Sequence, residues 1–299
     1  MPHPKQPTRQ TPGVHHFAFG DIVVTALNDG MLGAPMLDFF EFVTNVSRRE
    51  AEAMHRAAFL AVPPRLAVNC YLVYLADRLV LIDGGCGAVF GPSLGRLAGN
   101  LAALGVKPAD IDTVLVTHLH PDHVGGLVDA GGQAVFPNAE LVVHAVESAY
   151  WSDPAVLAAA PEGQEQQAVR LSLATIAAYR DRTRSVTGGE VLGGVTAVPA
   201  PGHTPGHTGW LIASGGDGLL VWGDIVHLPG LQFARPDAGM AFDVDGALAI
   251  ATRRRILDMA ATDRLCVAGM HMDFPGFGHV VRAGSGYAFI GEPWNGELG

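Results

Sequence analysis

Apolar residues along this chain keep two rhythms. Short runs rich in Val, Ile and Leu, stopped by Gly, Asn or Asp, read as strands; Ala- and Leu-bearing stretches spaced by three and four read as helices. The first rhythm predicts a strand over 17–27, closed by the turn signal Asn28-Asp29-Gly30. It then predicts a hairpin from 66–74 and 78–82, ending at Asp83-Gly84-Gly85. It returns at 111–116, 139–144, 191–198, 208–213, 218–222 and 264–268. The second rhythm predicts helices over 47–59, 92–104, 147–151, 162–180 and 246–261. Ser47 and Glu50 are spaced as a capping box for the first helix, and Gly105 stands where the second should stop.

Residues 1–14 are polar and proline-containing and read as a flexible arm, whereas 15–299 show no linker and read as one domain. Strands, a helix, then strands and a helix again suggest an α/β chain. Two sheets would pack face to face with helices outside. Composition narrows this only modestly. With 48% hydrophobic and 16% charged residues, 299 residues suffice for a sizeable core. A formal charge of −10 argues against a broad nucleic-acid surface, and bound divalent cations would cancel part of it. Cys70, Cys86 and Cys266 lie far apart in apolar contexts, which suits packed thiols rather than disulfides. The N-terminus carries no apolar leader and no run reaches membrane-span length. The expectation is a cytoplasmic protein with no membrane partner.

The chemistry begins where the strand 111–116 ends. His118, His120, Asp122 and His123 follow at once, and imidazole and carboxylate are the ligands that zinc-like divalent metals take from proteins. In extended backbone His118 and His120 project to one side, while Asp122 and His123 follow the Pro121 turn and can aim elsewhere. That division suggests two adjacent ions rather than one. Three more ligand-type residues stand at strand ends: His203 in Pro201-Gly202-His203-Thr204-Pro205-Gly206-His207, Asp224 after Gly223, and His271 after Gly269-Met270. Singly each reads as a turn, cap or structural residue. Together with the first cluster they read as a site at a sheet edge.

This set of seven resembles the metallo-β-lactamase-fold hydrolases, whose motif order it follows across about 17–287. The resemblance implies an αβ/βα four-layer sandwich, two mixed sheets with helices outside and metals at one edge. It implies that His118, His120 and His203 hold one ion, that Asp122, His123 and His271 hold the second, and that Asp224 bridges them. Asp122 and Asp224 become the catalytic carboxylates. Five neutral imidazoles and two carboxylates leave two divalent ions net positive, enough to keep a bridging hydroxide at neutral pH. Zinc is the expected metal, with manganese, cobalt or iron as substitutes. Asp83 has two readings: orienting a ligand imidazole, as the family uses it, or bonding the Gly84-Gly85 backbone as a turn residue. His207 reads as ordering its loop, His144 and His279 as structural, and His3, His15, His16 and His55 as surface residues.

Within the family, Asp224 stands where zinc β-lactamases of the main subclass carry cysteine. Fewer than thirty residues follow His271, too few for a glyoxalase II extension, and no flavodoxin-like segment is present. Phe90-Gly91-Pro92-Ser93-Leu94-Gly95, Phe136-Pro137-Asn138-Ala139, Leu231-Gln232-Phe233 and Phe274-Pro275-Gly276-Phe277-Gly278-His279 resemble the methyl parathion hydrolase and lactonase-like group. That resemblance makes Phe90, Trp151 and Phe242 pocket walls, with His227 beside the metals; ordinary core packing is their alternative. It implies a homodimer acting on a small neutral ester, a lactone or aryl ester, with organophosphate triesters as a further class. Two departures argue against efficient phosphotriester turnover. Gln167-Ala168-Val169 replaces an aromatic pair, and His227 replaces an apolar residue. An iron-dependent, sulfur dioxygenase-like redox enzyme and a non-catalytic metal-binding protein are the competing functions.

Overall fold

A computed structural model describes residues 10–298; His3 and 1–9 of the expected arm lie outside them. The first half of the chain contains β1 (Val14–Phe19), β2 (Ile22–Gly33), β3 (Val43–Thr44), α1 (Arg48–Ala57), β4 (Arg65–Tyr74), β5 (Leu79–Ile82), α2 (Leu97–Ala103), β6 (Thr113–Leu115), α3 (Pro121–Val124), β7 (Glu140–His144), α4 (Ala145–Ser152), α5 (Pro154–Ala159), α6 (Gln164–Ala178) and β8 (Thr183–Val186). The second contains β9 (Gly189–Leu192), β10 (Val195–Pro199), β11 (Thr208–Ser214), β12 (Asp217–Val221), α7 (Pro229–Gln232), β13 (Gly239–Met240), α8 (Gly246–Asp263), β14 (Cys266–Ala268), β15 (Gly278–Ala283) and β16 (Gly286–Gly291).

Two seven-stranded sheets result, in the orders β1-β2-β4-β5-β6-β7-β8 and β16-β15-β14-β12-β11-β10-β9. Both are mixed: β5 to β8 run parallel in the first, β12 and β14 in the second. Side chains alternate across each strand, so β4 sends Tyr71 and Val73 toward the second sheet and Cys70 and Leu72 toward the helices. Burial on both faces explains why β4 reads as an apolar run from Leu66 to Tyr74, interrupted by Asn69, whose buried amide donates to the Gly269 and Met272 carbonyls. Tyr71, Ile82 and Leu115 meet Trp210, Ile212 and Val221 between the sheets. Leu97, Leu101, Trp151 and Val169 cover the outer face of the first sheet; Ile256, Leu257 and Ala260 of α8 cover Leu220, Trp222 and Val267 of the second. Trp210 and Trp222 are wholly buried. At ~25 cal/mol per Å² over 150–250 Å², each contributes roughly 4–6 kcal/mol before entropy is counted. The fold is the expected α/β four-layer sandwich.

Several local expectations need correction. The expected strand over 17–27 is instead the hairpin β1–β2, turning at Gly20-Asp21 and beginning at Val14 within the expected arm. Strand β2 does not stop at Asn28-Asp29-Gly30 but runs on to Gly33 through a bulge there. Helix α2 starts only at Leu97, and 191–198 is the hairpin β9–β10 instead of one strand. Ser47 caps α1 by accepting from the Glu50 amide, but the Glu50 carboxylate leaves the capping box for Arg235. His55 is buried against Phe40 rather than on the surface, and His15 and His16 are half-buried on β1. All three cysteines are free and buried, as expected. No helix among the described residues is long and apolar enough to cross a membrane.

Candidate metal centre

The chain segments leaving β6, β12 and β14 meet at one edge of the sandwich. After β6 the chain bends at Thr117 and is extended at His120 (φ −70°, ψ 155°), and Pro121 then opens the short helix α3. His118 and His120 thus precede a change of direction, while Asp122 and His123 follow it inside a helical turn. Gly223 has φ +63°, and a Cβ there would stand 2.3 Å from His207 Nε2, so only glycine delivers Asp224 at this point. His207 itself has no nitrogen left for a ligand. Its Nδ1 pairs with the Ala200 carbonyl at 3.0 Å and its Nε2 accepts from the Asp224 amide at 3.0 Å.

The structure brings all seven expected ligand residues together. Thr117 Oγ1 gives its proton to Asp83 Oδ2 at 2.7 Å, so at 3.1 Å it accepts from His118 Nδ1. His123 Nδ1 pairs with Asp83 Oδ2 at 2.7 Å, His203 Nδ1 with Asp243 Oδ1 at 2.8 Å and His271 Nδ1 with the Ala67 carbonyl at 2.8 Å. These outer acceptors fix the tautomers and leave four Nε2 lone pairs facing inward. His120 turns Nδ1 inward instead. His118 Nε2, His120 Nδ1 and His203 Nε2 form a triangle with sides of 3.0, 2.9 and 3.2 Å. Three lone pairs so close repel one another unless a cation lies among them. Tetrahedral zinc, with Zn–N of 2.0–2.1 Å, would space such nitrogens ~3.3 Å apart.

The second group is Asp122, His123 and His271. Asp122 Oδ2 lies 3.6 Å from His123 Nε2 and 3.4 Å from His271 Nε2. Asp224 sits between the groups: Oδ1 is 3.3 Å from His123 Nε2, and Oδ2 is 3.3 Å from His203 Nε2 and 3.2 Å from His271 Nε2. His123 Nε2 and Asp224 Oδ1 are buried without a hydrogen-bond partner, a costly state that a bound ion would relieve. The donor set therefore fits a pair of divalent ions. The local field agrees. Burial, reinforced by neighbouring imidazoles, holds His118 and His120 well below the usual histidine range and keeps them neutral. Burial opposes charge on His203 and His123 too, yet the carboxylates outweigh it, holding His203 at about 9 and His123 well above its ordinary value. The pocket as a whole calls for positive charge.

Asp83 turns to Thr117 and His123 and not back to Gly84-Gly85. It does so from a left-handed backbone (φ +59°), a conformation that costs a non-glycine residue free energy. Asp243 went unread in the sequence because it looks like any turn aspartate; it bonds His203 and accepts from the Met240 amide. Glu147 also went unread, although a lone carboxylate in the apolar stretch Ala145–Trp151 was a usable signal.

Two cavities meet above this floor and share His120 and Phe242. The smaller, about 190 Å³, is walled by Leu32, Leu37, Phe39, Leu66 and Phe90 and reaches Asp122, Asp224, His227 and His271. The broader, about 840 Å³, runs between Trp151, Tyr150 and Phe42 and helices α5 and α6. Phe90, Trp151, His227 and Phe242 thus all line the cleft, while Phe42 and Tyr150 carried no sequence signal. His227 Nε2 lies 3.1 Å from Asp224 Oδ2 and its Nδ1 has no partner. His144 caps α4, and His279 pairs with Glu292 away from the centre.

Comparison with known proteins finds the same architecture. The model of the metallo-beta-lactamase superfamily matches residues 63–271. The uncharacterized protein YobT of Bacillus subtilis (strain 168) is 30% identical over 169 residues, covering 56% of this chain and 66% of that protein, just under two thirds of its length. The crystal structure of AbOPH, a hydrolase in the beta-lactamase superfamily, superposes with a TM-score of 0.89 at 31% identity over 96% of this chain and 100% of that one. AidC, a dizinc quorum-quenching lactonase solved with its N-hexanoyl-L-homoserine product, gives 0.87 at 27% over 95% and 99%.

Proposed function

The chain belongs to the metallo-beta-lactamase superfamily, and from that premise we propose that it is a dinuclear-metal hydrolase of neutral esters, lactones first and aryl esters second. His118, His120 and His203 would hold one ion, Asp122, His123 and His271 the other, with Asp224 between them. When bound, such a pair lowers the pKa of water toward neutrality and polarises an acyl or phosphoryl oxygen. The observation that carries the reading is the convergence of five inward imidazole nitrogens and two carboxylates beneath a cleft of two apolar lobes.

The chain's own residues then account for substrate class. Among the described residues no lysine or arginine lines either lobe, while Asp122, Asp224, Asp243 and Glu165 do. Apart from the ions themselves, nothing in either lobe would pair with an anionic group, and the carboxylates that line them oppose one, so the lining suits a neutral substrate. A cleft that divides over the metal floor suits a scissile ester with a group on each side. The narrow lobe holds a compact part such as a lactone ring, and the broad lobe holds a chain or aryl group. The unpartnered Nδ1 of His227 offers a polar contact to the bound ester. Similarity to the lactonase AidC supports the order of preference. Phosphotriesters fit the same floor less well, because Ala168 and His227 make the cleft wider and more polar. Assembly as a homodimer belongs to the same reading and is checked by sedimentation.

The test is a metal-content measurement paired with a hydrolysis panel. Protein loaded with zinc, manganese or cobalt is assayed on acyl homoserine lactones, dihydrocoumarin, aryl acetates and paraoxon. Two ions per chain and turnover of a lactone or aryl ester are expected, lost on chelation and restored by metal. Two ions per chain with no turnover of any member would sink the proposal. One iron per chain with oxygen consumption would replace it with redox chemistry.

A further inference from the structure

Glu147 of α4 takes no part in the reading above, yet it is a fully buried carboxylate beside the centre. Four donors converge on it. Oε1 accepts from the Leu119 amide at 2.9 Å and from Trp151 Nε1 at 2.7 Å. Oε2 accepts from Thr204 Oγ1 at 2.7 Å and from the Gly206 amide at 3.0 Å. An ionised carboxylate, which only accepts, satisfies all four, and bonds to a charged acceptor are the stronger kind.

The placement of those donors is selective. Leu119 stands between His118 and His120, and Thr204 and Gly206 follow His203 in its loop. The loops so joined carry the three nitrogens that lie 2.9–3.2 Å apart, all of one ligand group. Trp151, the remaining donor, sets its ring edge-on to His120 at 5.4 Å. Gly206 seats its loop directly on α4, for a Cβ there would lie 2.2 Å from the Glu147 amide. The other group takes its orientation elsewhere, His123 from Asp83 and His271 from the Ala67 carbonyl.

The geometry points to Glu147 as the positioning residue for one ion of the pair, clamping the His118–His120 loop to the His203 loop while leaving the Asp122–His123–His271 group unaffected. This rests on the two-ion reading. Glu147→Gln keeps the size but, whichever way the amide sits, puts its NH₂ opposite at least one N–H that cannot turn away, Leu119 and Trp151 on one side or Gly206 on the other. Wild-type and variant protein loaded with Zn²⁺ or Co²⁺ are titrated with a chelator, and the visible spectrum of the Co²⁺ form is recorded. In the variant one ion is expected to leave with affinity reduced about 10–100-fold, and the second to leave as in wild type. The Co²⁺ spectrum should change for one ion alone. Thr204→Val, which removes a single donor, should give a smaller shift of the same ion and serves if Glu147→Gln does not fold. Equal weakening of both ions, or two wild-type affinities in a folded variant, would overturn the proposal. No substrate is needed, so wild-type protein that binds two ions but hydrolyses nothing removes the hydrolase reading and leaves this one intact. A wild type that binds a single ion overturns both.

Discussion

At one edge of the sandwich two unlike surfaces share the histidine His120. Below it, His118, His123, His203 and His271 are buried, and each has its outer nitrogen tied to a named acceptor. Above it, Phe42, Phe90, Tyr150 and Phe242 are half-buried; Phe90 packs on apolar neighbours and the other three meet theirs ring to ring. Hydrogen bonds are directional, so the lower surface holds its nitrogens within narrow limits; apolar contact is not, so the upper surface can change shape without disturbing what lies beneath. On the proposed function, the difference predicts that reaction type and substrate choice reside in separable parts of one cleft, with Trp151 tied to both. Damage to the cradle should abolish chemistry, and damage to the walls should redirect it.

The strongest challenge to this division is Asp224→Ala. Asp224 sets a carboxylate oxygen against each ligand group, and burial would drive its carboxyl up were it not for His123, His271, His118 and His227, which hold it well below the carboxylate range. Removing it leaves those imidazoles without their common anion. We expect loss of one ion and a fall in kcat of ~10³-fold or more, since the pair supplies several kcal/mol of charge stabilisation and each 1.4 kcal/mol is tenfold. Metal analysis and ester turnover check it together. Unchanged activity would remove Asp224 from its place between the ions.

Asp83→Asn should come next in size. Asparagine tolerates the left-handed backbone that Asp83 adopts (φ +59°), so the substitution tests the acceptor and the charge instead of the turn. One carboxylate now accepts from the Thr117 amide, Thr117 Oγ1 and His123 Nδ1; the amide replaces one of those acceptor atoms with a donor. Metal affinity in the His123 group should fall about 10–100-fold, measured by chelator competition, and that of the His118 group less, because Asp83 reaches His118 only through Thr117 Oγ1. That is the reverse of the ranking expected for Glu147→Gln. If both variants weaken the same ion most, the two ligand groups do not have separate supports.

The same division explains what could be read from the sequence. His118, His120, Asp122, His123, His203, Asp224 and His271 were legible because each is a costly residue type placed just after a run of apolar strand. The sheets were legible because strands such as β4, buried on both faces, leave long apolar runs. Asp243 and Phe42 were not, because a loop aspartate and a phenylalanine look the same whether they face a ligand or the interior. The bulge in β2 was missed for a related reason. Asn28-Asp29-Gly30 has turn chemistry, but Asp29 is fully buried and accepts from the amides of Cys86, Gly95 and Leu97. Tertiary partners distant in the chain, invisible to local pattern, kept the strand going.

Ala168→Phe is the mildest test and the one that bears on the walls alone. Ala168 is half-buried on α6, lines the broad lobe, and lies among neither the ligands nor their supports. A benzyl group there would take up space in a cavity of about 840 Å³ without crossing the core, so stability should change little. Long-chain acyl homoserine lactones should show KM raised about tenfold with kcat nearly unchanged, the mark of lost ground-state binding. Phenyl acetate, too short to fill the lobe, should stay within about threefold, because one apolar contact alters binding by only ~1–3 kcal/mol and this substrate does not make it. If both substrates fell together, the wall would be coupled to the cradle, and the separation of chemistry from substrate choice would fail at α6. If neither moved, the chain of the preferred substrate would lie in the lobe walled by Phe90, and Phe90→Trp would become the variant that discriminates by length.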